Sequence, residues 1–135
     1  MKYWNELDGN IFFGKIFSQP ISIDKIALFS LRIENDQPCI GLGFDIPEFP
    51  DKLPEKWKNK GYNMCRIGIT CHEIDELKIQ NIPIHEVFTV QIEKHDDHLK
   101  FLAASESASI EFKAKYISLC GPSVYINGTD DYYFK

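Results

Sequence analysis

The sequence predicts a mostly β domain: an antiparallel meander of about seven or eight strands, folded into a sandwich or a strongly bent sheet, with one or two short helices. Three observations predict it. Apolar residues recur at every second position in several runs of strand length. The links between the later runs are short and polar, which joins antiparallel neighbours, because a parallel crossover takes a dozen residues or more. The chain has 135 residues, 44% of them apolar, which fits one core and hence a single domain over residues 1–135. A chain of this size buries roughly two-thirds of its unfolded surface, so folding requires neither a disulfide nor a structural metal.

Taken in order, residues 4–17 hold either a short helix or a strand, with Ile11, Phe12 and Phe13 following Asp8-Gly9-Asn10; Trp4 reads as core. Ile26 to Ile33 is apolar at both alternating sets, so this strand is expected to be covered on both faces. Asn35-Asp36-Gln37-Pro38 is a turn cluster, and Cys39 to Asp45 returns with Ile40, Leu42 and Phe44 inward. Gly41 and Gly43 fall on the other face, where they leave room for a close-packed neighbour, a bulge or a ligand. Ile46 to Gly61 has no strand periodicity and carries Pro47, Pro50 and Pro54, which makes it stiff and irregular. One or two helical turns are expected from Pro54, with Glu55 at the start, lysines at the end and Gly61 as terminator. Strands are then expected at Tyr62–Cys71, Ile74–Gln80, Val87–Lys94, Leu99–Ala104, Ser109–Lys115 and Tyr116–Cys120. Val124-Tyr125-Ile126, before a turn at Asn127-Gly128, reads as a last strand. The tail, 121–135, with Tyr132-Tyr133-Phe134, either packs back or frays.

Cys65 and Cys71 share one face of their strand, and their Cα atoms lie about 20 Å apart at the usual rise, beyond the roughly 7 Å that a disulfide spans. With no CxxC spacing at Cys39 or Cys120, four reduced and mostly buried thiols are expected.

Composition narrows the function. A formal charge of −5 argues against a general nucleic-acid binder, which displaces counterions with a basic surface, and permits attraction to a basic partner. No run approaches the roughly 20 apolar residues that cross a bilayer, and the polar start Met-Lys-Tyr-Trp-Asn-Glu does not read as a signal peptide. A cytoplasmic protein without nucleic-acid or membrane partners is expected. His95-Asp96-Asp97-His98 has metal-binding residue types but sits where a hairpin turns. Nucleophile elbow, Walker loop and dinucleotide fingerprint are absent from the sequence. Glu73, Asp75 and Glu76 form an acidic run that reads as solvated edge protection more readily than as a carboxylate pair for catalysis. No catalytic residue, cofactor or metal is assigned.

The insert, Phe44-Asp45-Ile46-Pro47-Glu48-Phe49-Pro50 through Lys56-Trp57, is the most informative stretch. Long ordered connections in small domains often bind, and prolines lower the entropy lost on doing so. Phe49 and Trp57 are aromatic types that anchor interfaces; Trp57 is alternatively a cap on the open end of the sheet. The candidate contact surface is therefore Glu48, Phe49, Asp51 and Trp57, with the acidic Glu73, Asp75 and Glu76.

Trp4, Phe13-Gly14 followed by Pro20, Phe44-Asp45-Ile46-Pro47-x-x-Pro50, Lys56-Trp57, Gly61-Tyr62-Asn63 and the late Ile110-Glu111-Phe112-Lys113-Ala114 and Ile117-Ser118-Leu119 resemble the immunity protein 50 family of bacterial polymorphic toxin systems. The likeness spans roughly residues 3–120. It implies a mostly β protein that protects the producing cell by binding a cognate toxin, without catalytic residues to transfer. Stoichiometric occlusion of that toxin by a monomer or weak homodimer is the expectation. A non-enzymatic scaffold or homodimerising β domain is the alternative, and an enzyme or small-ligand binder with a pocket under the insert is a third reading.

Overall fold

The computed structural model describes residues 1–82 and 86–126. Eight strands, β1 (Lys25–Glu34), β2 (Cys39–Ile46), β3 (Met64–His72), β4 (Asp75–Gln80), β5 (Val87–Lys94), β6 (Leu99–Ala104), β7 (Ser109–Ala114) and β8 (Tyr116–Tyr125), form one antiparallel sheet in the order β4-β7-β6-β5-β1-β2-β3-β8. The expected mostly β, antiparallel fold is present. Strict meander order is kept only from β1 to β3 and from β5 to β7: β4 returns to pair with β7, and β8 with β3.

Connectivity makes the sheet curl. The chain passes from β3 to β4 through Glu73 and Ile74, and from β7 to β8 through Lys115 alone, yet these pairs stand at opposite ends of the strand order. The ends must therefore meet at one corner. There the Lys115 N–H donates to the His72 carbonyl at 2.9 Å, and Glu73 takes the left-handed conformation, φ 53°, that turns the ribbon.

Period-2 alternation gives the curled sheet one apolar side. Ile40, Leu42, Phe44 and Ile46 stand opposite Cys71, Ile69, Ile67 and Cys65, and all eight are buried. Phe88, Val90 and Ile92, then Phe101 and Phe112, stacked at 4.8 Å, continue that side across the other strands. The N-terminal segment adds Trp4, Leu7, Phe13, Ile16, Phe17 and Ile21 to the same core. It contains a 3-10 turn at Trp4–Glu6 and the short helix α1 (Ile11–Ile16), so of the helix or strand expected within residues 4–17 a short helix forms, with Leu7–Asn10 non-helical between the two pieces. Trp4 lies 5.1 Å from the Phe44 ring, as its core assignment expects. Gly9 bridges the two helical pieces at φ +79°, where a Cβ would lie 2.6 Å from the Leu119 carbonyl oxygen.

Four expectations need correction. β1 is not covered on both faces: a bulge between Leu28 and Ser30 turns Phe29 outward, and Phe29 and Ile33 are 51% and 52% exposed. Phe29 lies on the outer side of the sheet, against Gly43 and under the Arg66 guanidinium, and the β5 pairing engages only Lys25–Ala27. One of the one or two helical turns expected from Pro54 forms, the 3-10 turn Glu55–Trp57, but Lys58, already extended, ends it in place of Gly61. β8 does not stop at Cys120 with a separate last strand; it bulges at Gly121–Pro122 and runs on to Tyr125, a site where a residue without an N–H does little harm to the ladder. The cysteines are free thiols, but burial holds for Cys65 and Cys71 only: Cys39 is half-buried and Cys120 exposed. Asn127-Gly128, Tyr132-Tyr133-Phe134 and His85 lie outside the described residues.

Candidate functional site

The insert between β2 and β3 is tied down at defined points. The Asp51 carboxylate accepts the Ser18 backbone N–H at 2.9 Å and the Ser18 hydroxyl. Next to it, the Lys52 N–H donates to the Ile16 carbonyl at 3.0 Å, the last turn of α1. The two Ser18 bonds hold the Asp51 carboxyl below the usual carboxylate range. Pro50 is buried and Phe49 packs half-buried against the core. Glu48 behaves oppositely: partial burial pushes its carboxyl up, and Asp24 nearby adds to the effect. Trp57 ends the 3-10 turn half-buried, with Phe12 of α1 meeting it edge-to-face at 5.5 Å.

Phe12 and Ile11 were not legible as surface residues, since only the docking of α1 beside the insert brings them to Trp57. Ile11 is 75% exposed at the start of that helix. The insert and α1 thus form one apolar patch. The insert carries Lys52, Lys56, Lys58 and Lys60 as well as Glu48, Asp51 and Glu55, so the overall negative charge is not concentrated here. The Lys58 ammonium pairs with Glu55 at 2.9 Å.

Glu73, Asp75 and Glu76 lie elsewhere. The insert enters β3 at Met64 and the acidic run leaves it at His72, so the two groups are separated by the length of that strand, roughly 26 Å at the usual rise. The structure does not bring them into one surface. All three carboxylates are exposed, and two have lysine partners: Glu76 with Lys113 at 2.8 Å and Glu73 with Lys115 at 3.8 Å. The Lys113 bond keeps the Glu76 carboxyl low. The Asp75 carboxylate accepts the Glu76 N–H at 2.9 Å.

A third cluster escaped sequence reading. On the outer side of the sheet Asp45 is 1% exposed, with the Arg66 Nε 3.1 Å from one oxygen and the Tyr125 hydroxyl donating to the other. The Arg66 guanidinium lies between the Phe29 ring, 3.6 Å from its centroid, and the Tyr125 ring, at 4.4 Å. Burial and the Asp45 charge push the Tyr125 phenol up to about 12. Gly43 answers the choice its sequence position left open: a Cβ would stand 2.7 Å from the Phe29 ring, so packing uses the space. No signal short of register could have joined Asp45, Arg66 and Tyr125, which come from three strands.

The His95-Asp96-Asp97-His98 motif forms the β5–β6 turn, closed by the His95 N–H to the His98 carbonyl at 2.9 Å. Its imidazoles stack at 4.7 Å, and the His98 ring bonds Asp97 at 2.7 Å, which lowers the Asp97 carboxyl. Among the described residues, no three His, Cys, Asp or Glu side chains are grouped to hold a metal, and no helix is long and apolar enough to cross a membrane.

No curated protein and no solved structure matches the chain. The sequence model of the family described as Immunity protein 50 matches residues 11–125, from the first residue of α1 to the last of β8, so the match takes in the insert, all eight strands and the Asp45–Arg66–Tyr125 cluster. The chain belongs to the immunity protein 50 family.

Proposed function

We propose that this immunity protein disarms a cognate toxin by stoichiometric occlusion, acting by contact and not by chemistry, in the cytoplasm of a bacterium that makes the toxin. The observation that carries this reading is the insert: an apolar, aromatic patch held in place by Asp51–Ser18 and Lys52–Ile16. A patch ordered in advance loses little conformational entropy on docking. Phe49 and Trp57, joined by Ile11 and Phe12, supply the apolar centre, and Glu48 and Asp51 its polar margin. Glu73, Asp75 and Glu76 form a second, separate contact that draws a basic toxin in by charge.

The test is a titration of toxin activity with purified protein. Inhibition that saturates at equal amounts supports occlusion. A toxin fully active in excess protein would end this reading, and inhibition at amounts well below the toxin's own would point to turnover instead.

A further inference from the structure

The outer edge of β1 is open along most of its length. β5 pairs with it only at Lys25–Ala27, and among the described residues no strand pairs with that edge from Leu28 to Glu34. Such an edge presents backbone N–H and C=O groups in strand geometry, a template for one more strand. Ile33, half exposed, and Arg32 and Glu34, exposed, lie along it.

At its Glu34 end the edge borders a groove of about 260 Å³ whose floor includes Ile33, Ile40, Ile74 and Leu77. The Ile74 N–H bonds the Pro38 carbonyl at 3.1 Å, which fixes the β1–β2 turn against the start of β4 and holds the groove open. Glu34, Asp75 and Glu76 line it as well, and among the described residues no lysine or arginine does.

We propose that this edge and groove receive an extended segment of the toxin in which apolar and basic side chains alternate, added as a strand beside β1. The proposal rests on the occlusion reading and names the kind of toxin segment that the acidic end of the molecule takes. Backbone pairing supplies the docking geometry, the apolar floor takes alternate side chains, and the Glu34 and Asp75 carboxylates take the basic ones, Glu76 being held by Lys113. The bulge at Leu28/Ser30, Arg32 and Glu34 discourage pairing with arbitrary strands.

The probe is a short synthetic peptide alternating Val with Lys, added to the full chain and followed by amide hydrogen exchange. Slowed exchange over Leu28–Glu34 is expected. Binding should weaken roughly tenfold or more in a Glu34→Lys/Asp75→Lys double variant with an unchanged melting curve. A peptide alternating Val with Glu should not bind. No binding by the basic peptide, protection confined to other strands, or equal binding by the double variant would overturn the proposal. So would light scattering that finds a dimer whose β1 amides are already protected, since a second copy would then occupy the edge. The toxin titration is run on the unaltered chain without peptide, so failure here and failure of occlusion are told apart.

Discussion

Trp57→Ala separates an interface anchor from a core residue. Full truncation of a buried Trp costs about 3–5 kcal/mol. Trp57 is only half-buried, so about half of that is at stake, and it includes the edge-to-face contact with Phe12, worth about 1 kcal/mol. The expected loss is therefore about 2 kcal/mol. For a domain of this size that lowers Tm by roughly 6–8 °C, read by far-UV circular dichroism, since Trp4 would obscure a fluorescence melt. The folded variant should bind toxin at least about 30-fold more weakly, as removal of a central aromatic anchor does. Phe12→Ala should reproduce part of both effects. A stability loss above about 4 kcal/mol would make Trp57 core, whereas a 2 kcal/mol loss with toxin binding intact would remove the insert from the interface.

Gly9→Ala should destabilise by about 2–3 kcal/mol in a denaturant melt, because a Cβ meets the Leu119 carbonyl at 2.6 Å and φ is +79°; a neutral effect would mean the N-terminal segment shifts freely. In the folded protein, alkylation near pH 8 should label Cys120 first and spare Cys65 and Cys71, whose thiols burial pushes up, Cys65 to about 12; equal labelling, read by mass spectrometry, would contradict their burial. Because that raised value makes the folded state retain a proton that the unfolded chain loses near pH 8.5, the associated stability is whole below that pH and erodes as pH climbs towards about 12. Asp51 titrates in the opposite sense: its carboxyl is lowered by Ser18, so its tether is present above the ordinary carboxylate pKa and is lost as pH falls through the lowered value. Asp51→Asn should free the insert, seen as faster amide exchange over residues 47–58 at pH 7; unchanged exchange would assign the rigidity to the prolines.

Legibility in the sequence followed locality. The alternation of Cys65, Ile67, Ile69 and Cys71 could be read directly because one buried side of a strand imposes it. The exposure of β1 could not, since Phe29 and Ile33 look like core residues until the bulge and the side each one faces are known. Pro122 mimicked a strand end because a bulge and a terminus tolerate the same residue. Trp57, Phe49 and Asp51 were found as the insert, but Phe12 and Ile11 belong to an element distant in sequence. The acidic run and the insert both offer acidic interface chemistry in the sequence, and only the length of β3 between them shows that they stand apart.

The corner where β3 becomes β4 and β7 becomes β8 leaves neither half of the molecule complete without the other. Pairings between residues far apart in the chain have to close before much apolar surface is covered, and such topologies gain their native state slowly. If occlusion is how this protein acts, protection begins only once β8, the last of these eight strands to be made, has paired with β3, so synthesis of the protector has to run ahead of the poison it answers.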